Sequence, residues 1–109
     1  MVHPFGLVTY RQGKDEGTLI AEWINDDPNS LDSEIGIGMA KIAKAGSDHF
    51  EGEYNVEYWL AGKVIKLELS IKRNGPIYDM VWAENGATTN TGYGFISGDM
   101  LVAGFERKV

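Results

Sequence analysis

The residues that could do chemistry in this chain are few, and most are aromatic. Trp23, Tyr54, Tyr58, Tyr78, Met80 and Trp82 recur at alternating positions of apolar stretches, which is the spacing of side chains on one face of a β-strand. Two roles suit such a set. In a small barrel, inward side chains fill the interior. Alternatively they line a cavity open at one mouth, where the buried tyrosine hydroxyls need partners and supply polar anchors. The second role makes these six residues the candidate ligand-binding set, for an apolar or aromatic small molecule.

Other chemistry finds less support. His3 and His49 are the only histidines, and neither lies in a His-x-His or His-Glu-x-x-His spacing, so no metal ligand is assigned. Asp26, Asp27, Asp32 and Glu34 gather carboxylates around one loop. Their spacing is not that of a calcium loop, and Asp and Asn in such a stretch bond their own backbone in a solvated turn. Gly36-x-Gly38 and Gly92-x-Gly94 lack the strand–helix context of a dinucleotide loop, so these glycines read as bends or points of close backbone approach. Glu22 and Asp79 each sit between apolar neighbours of their own strand face and read as exposed acids that interrupt an apolar stripe. No G-x-S-x-G elbow occurs. No catalytic residue and no cofactor is assigned.

The elements that must position these residues are strands. Phe50–Trp82 reads as three strands joined by Ala61-Gly62 and Asn74-Gly75. Phe50, Gly52, Tyr54, Val56, Tyr58 and Leu60 share one face, as do Ile65, Leu67, Leu69 and Ile71, and then Tyr78, Met80 and Trp82. A two-residue loop at Ala61-Gly62 pairs Tyr58 with Ile65, Val56 with Leu67 and Tyr54 with Leu69. It also sets Glu57 against Lys66 and Glu51 against Lys72. A type I′ turn at Asn74-Gly75 pairs Ile71 with Tyr78, Leu69 with Met80 and Leu67 with Trp82.

Strands are also expected at 5–12, 18–24, 34–43, 91–97 and 100–106, with Leu19, Ala21 and Trp23 inward. The run after Trp82, ENGATTN, reads as a loop. A hairpin at Gly98-Asp99 pairs Ile96 with Leu101 and Gly94 with Ala103. Eight strands with short connections leave no room for parallel crossovers. The expected fold is therefore all-β: an eight-stranded antiparallel up-and-down meander closing into a barrel, with a two-sheet sandwich as the alternative.

This pattern resembles the avidin- and lipocalin-type barrels of calycin-like architecture, and it does so over most of the chain. The resemblance implies a barrel-mouth pocket. The lipocalin Gly-x-Trp is missing, because Gly17 and Trp23 are too far apart, and no avidin ligand set maps onto these residues.

Length and composition bound the rest. The 109 residues suit one domain, 1–109, with a core of its own. The net charge of −6 argues against non-specific nucleic-acid binding, which needs cations to displace counterions. No segment approaches the roughly 18 apolar residues of a membrane helix. The chain has no cysteine, which suits a reducing compartment, and MVHPFGLVTYRQG has no charged stretch followed by an apolar one. A cytoplasmic location is expected, with a secreted or periplasmic one as the alternative.

The outward face of the later strands breaks the polar rule. Ile77, Val81, Tyr93, Phe95 and Val102 all fall opposite the inward set. A contiguous apolar patch of that kind marks a contact surface, and a second copy of the chain is the expected partner.

Overall fold

The computed structural model describes residues 5–25, 35–60 and 62–108. The acidic run Asp26, Asp27, Asp32 and Glu34 lies outside the described residues. Alternating sequence becomes strand: β1 (Phe5–Gln12), β2 (Thr18–Asn25), β3 (Gly36–Ala45), β4 (Gly52–Leu60), β5 (Lys63–Asn74), β6 (Ile77–Glu84), β7 (Ala87–Ser97) and β8 (Met100–Arg107). Each pairs antiparallel with the next, and β1 pairs with β8, so the sheet closes into an eight-stranded barrel with no free edge. The sandwich alternative is thereby set aside.

The hairpins at Gly62 and Gly98 have the expected registers, including Val56 opposite Leu67, Tyr54 opposite Leu69 and Gly94 opposite Ala103. The hairpin between β5 and β6 does not. There Asn74 pairs with Ile77, Ile71 with Met80 and Leu69 with Trp82. The turn residues are Gly75 and Pro76, not Asn74 and Gly75. Gly75 has φ 64, and Pro76 is held at negative φ by its ring, which suits a type II′ turn with glycine first. A type I′ turn needs positive φ at both central residues, and Asn74 stays in the strand. The register slides by two residues, so every side chain keeps its face while its partner changes.

The type I′ turn occurs instead at the second Asn-Gly pair. Asn85 (φ 50) and Gly86 (φ 84) join β6 to β7, and Glu84 pairs with Ala87. The run read as a loop after Trp82 is therefore the end of one strand, a tight turn and the start of the next. The β4–β5 ladder ends at Gly52 and Ile71, one residue short of the expected Glu51–Lys72 pair. Glu51 lies before β4, where its carboxylate accepts from Ser47 and from the Arg73 amide.

The inward face is apolar and closely filled. Tyr10, Leu19, Leu69, Ile71, Met80 and Leu101 are fully enclosed, and no charged side chain is buried among the described residues. Gly36 and Gly38 make this packing possible. A Cβ on Gly36 would stand 2.3 Å from the Trp23 indole, and one on Gly38 2.6 Å from the Tyr58 ring. These glycines are sites of close approach, as their sequence context suggests, and they let both rings come against β3. Ile65 and Ile96, expected inward, are exposed because each sits where its strand runs past the end of the barrel core.

Candidate functional site

The two ends of the barrel differ. At one end the segment between β3 and β4 folds across the opening and is held by Asp48. Its carboxylate accepts from the amides of Phe50 and Glu51 at 2.9 and 2.8 Å and from the Tyr78 hydroxyl at 2.7 Å. Arg73 approaches to 3.7 Å. Burial pulls the Asp48 pKa upward, but the Glu51 amide, the Tyr78 hydroxyl, the Phe50 amide and Arg73 together hold it below the ordinary value. Phe50 plugs the barrel beneath, edge-on to Tyr78, and its carbonyl accepts from the Tyr54 hydroxyl at 2.8 Å. Gln12 ties β1 to the same segment through the His49 carbonyl. His49 thus contributes backbone to a closure.

Among the described residues the opposite end is open. A cavity of about 330 Å³ enters the barrel between the ends of β2, β5, β6, β7 and β8. Its floor and walls are Val8, Tyr10, Trp23, Tyr58, Leu67, Trp82 and Phe105, and its rim carries Ile65, Glu84, Thr89, Asn90 and Arg107. Three features of the chain shape it. The two-residue slide of β6 sets Trp82 opposite Leu69, so Leu67 and Ile65 are left to face the mouth. A bulge in β7, where Trp82 pairs with Asn90 and Ala83 with Thr88, leaves Thr89 as an extra residue. Strict alternation fails there, and two consecutive polar side chains reach the rim. Finally, Trp23 is pinned against Gly36 with its indole N–H donating to the Ile37 carbonyl at 3.3 Å.

The cavity floor has a hydrogen-bonded core. Trp82 Nε1 donates to the Tyr58 hydroxyl at 2.7 Å, and the Tyr58 and Tyr10 hydroxyls share a bond at 2.5 Å. Burial pushes the Tyr58 hydroxyl pKa up to about 12 and that of Tyr10 well above its ordinary value, so both are neutral near pH 7. Trp23 meets Tyr58 edge-on with centroids 6.0 Å apart, and Phe105 tilts over Trp82 at 5.5 Å. The result is an aromatic box with a polar floor.

Of the six residues expected to bind ligand, Trp23, Tyr58 and Trp82 line this cavity. Tyr54 and Tyr78 belong to the closed end, and Met80 is enclosed in the packed middle. Alternation tells which side of the sheet a residue faces but not which end of the barrel it reaches. Tyr10 and Phe105 also line the cavity and were not in that set. Among the described residues no cluster of His, Asp or Glu could hold a metal ion. A second depression, of about 500 Å³, lies over β3, β4 and β5 beside Lys41, Glu57 and Lys66. It is an outer surface with solvated charges, so its larger volume does not make it the better site.

The outer face carries the other candidate. Tyr93 is 66% exposed, Phe95 57%, Ile77 40% and Val81 39%, while Val102 is half-buried between its neighbours. Barrel closure extends this patch beyond the strands on which the sequence places it. Phe95 pairs with Val102, Tyr93 with Gly104, Gly104 with Leu7 and Leu7 with Ile24, and both Leu7 and Ile24 are exposed. Glu22 sits beside this face, 3.9 Å from Arg11, and Asp79 is an exposed acid opposite Lys72.

Among the described residues, fold and site together define a small closed antiparallel barrel with one sealed end and one open, aromatic-lined mouth. No family model, curated protein or solved structure matches the chain.

Proposed function

We propose that this protein is a small binding barrel that holds an apolar or aromatic small molecule in its open mouth. The observation that carries the reading is the cavity of about 330 Å³ walled by Trp23, Tyr58, Trp82 and Phe105. That volume lies at the low end of the range for small-molecule sites, about 300–1,000 Å³. Sealing the far end while leaving this one open is what a carrier or sensor of a single ligand needs. The architecture is consistent with the calycin type, in which the interior is the binding site. The test uses the three indoles. Titration with small aromatic compounds such as naphthalene, followed by ¹H–¹⁵N correlation, should move the side-chain N–H signals of Trp23 and Trp82. The signal of Trp59, which lies on the outward face of β4, should stay in place. Shifts confined to Trp59, or none up to the solubility of the compound, would contradict the reading.

A second reading concerns the outer face. The exposed row of Ile77, Val81, Tyr93, Phe95 and Val102, continued by Leu7 and Ile24, supports self-association into a homodimer. The two readings are compatible, since the mouth and the patch occupy different parts of the barrel.

A further inference from the structure

The hydrogen bonds of the cavity floor leave one donor proton over. The Trp82 indole, the Tyr10 hydroxyl and the Tyr58 hydroxyl bring one donor proton each. Trp82 donates to Tyr58, and one hydroxyl proton is used between the two tyrosine oxygens. Only one proton can lie between that oxygen pair, and an indole nitrogen accepts none. One hydroxyl proton is therefore left over whichever tyrosine is the donor. Among the described residues it meets no further acceptor. The two tyrosines of the closed end show the contrast: Tyr54 donates to the Phe50 carbonyl and Tyr78 to Asp48. Tyr10 is 0% exposed and Tyr58 6%, and both line the cavity. The spare donor is thus enclosed, and both residues that can carry it border the cavity. A buried donor without a partner is costly, so the occupant of the site should supply one.

Resting on the cavity reading above, we infer that the ligand is a neutral aromatic or alicyclic molecule with a hydrogen-bond acceptor oxygen, a carbonyl or ether, at its inner end. Its apolar body lies between Trp23, Trp82 and Phe105, and its oxygen accepts from the Tyr10–Tyr58 hydroxyl pair. A pure hydrocarbon of the same shape leaves that proton unmet. An anion is disfavoured at the floor, because both hydroxyls are enclosed among apolar side chains and no cation among the described residues reaches them.

A matched pair of probes tests this. Benzophenone and diphenylmethane differ at one position, C=O against CH₂. Calorimetric titration of the full chain should give benzophenone an affinity roughly ten- to a hundredfold higher, the scale set by leaving a buried donor unpaired. The infrared carbonyl band of bound benzophenone should move to lower frequency than in hydrocarbon solvent. The preference should persist in Asn90→Ala and Arg107→Ala, which remove the rim donors. Equal affinities with an unmoved band would overturn the inference and leave the cavity reading standing, since a water or a ring face would then satisfy the proton. Loss of the preference in either rim variant would overturn it too, because the oxygen would then be read at the rim. Binding of neither probe would overturn both.

Discussion

The closed end depends on one carboxylate, and removing it gives a sharp test. Asp48→Ala deletes two backbone bonds at 2.9 and 2.8 Å, the Tyr78 hydroxyl bond at 2.7 Å and the approach of Arg73. Local capping of this kind is worth about 1 kcal/mol. A hydrogen bond to a charged group adds about 1.5–3 kcal/mol, of which the lower value applies because the Asp48 side chain is 23% exposed. The exposed ion pair adds little. The expected loss is about 2–3 kcal/mol in urea unfolding, with an unchanged dependence on urea concentration. Asp48→Asn keeps an acceptor for the two amides and should lose about half as much. The pH dependence has a definite sign. The folded pKa of Asp48 is lowered, so its contribution is complete above the ordinary value of 3.8 and fades as pH falls through the folded value. A loss under about 0.5 kcal/mol for Asp48→Ala would refute the view that Asp48 organises this closure.

Further outcomes follow from the same geometry. Trp82→Ala should cost about 3–5 kcal/mol in denaturant unfolding, since it removes an enclosed indole and its bond to Tyr58. Gly36→Ala should cost about 1–3 kcal/mol and shift the Trp23 emission, because the new methyl stands 2.3 Å from the indole and must displace it. The hydroxyls of Tyr54 and Tyr58 are pushed up to about 12 by burial, while in the unfolded chain they titrate near 10. The folded state keeps its protons longer, so the contribution of these two hydroxyls should be constant below about pH 10 and stability should fall above it, as read by unfolding midpoints across the alkaline range. The double variant Val81→Lys, Phe95→Lys should lower the mass seen by light scattering while leaving the fold intact. A wild type that is monomeric at tens of micromolar would remove the homodimer reading.

The barrel was legible because one-sided burial leaves a period-two record in every strand. The paired rows around Gly62 and Gly98 follow directly from that record. The β5–β6 register was not legible from face pattern, since a slide of two residues preserves it. Only the choice between Asn74-Gly75 and Gly75-Pro76 decides, and Pro76 settles it, because after an Asn74-Gly75 turn it has no N–H to return to the Arg73 carbonyl. The rim residues Thr89 and Asn90 were hidden in a run read as a loop, because a bulge erases the alternation that would reveal them. The outer patch was visible on β6 to β8, whereas its continuation through Leu7 and Ile24 depends on the β1–β8 register, which barrel closure requires but no hairpin turn fixes.

The most direct test of the open-mouth site is a crystal structure of the protein soaked with iodobenzene, read by the anomalous signal of iodine. The account predicts a peak inside the barrel, bounded by Trp23, Tyr58, Trp82 and Phe105, and none behind Phe50 at the sealed end. A mouth without iodine, with peaks confined to the outer face around Tyr93 and Phe95, would contradict it.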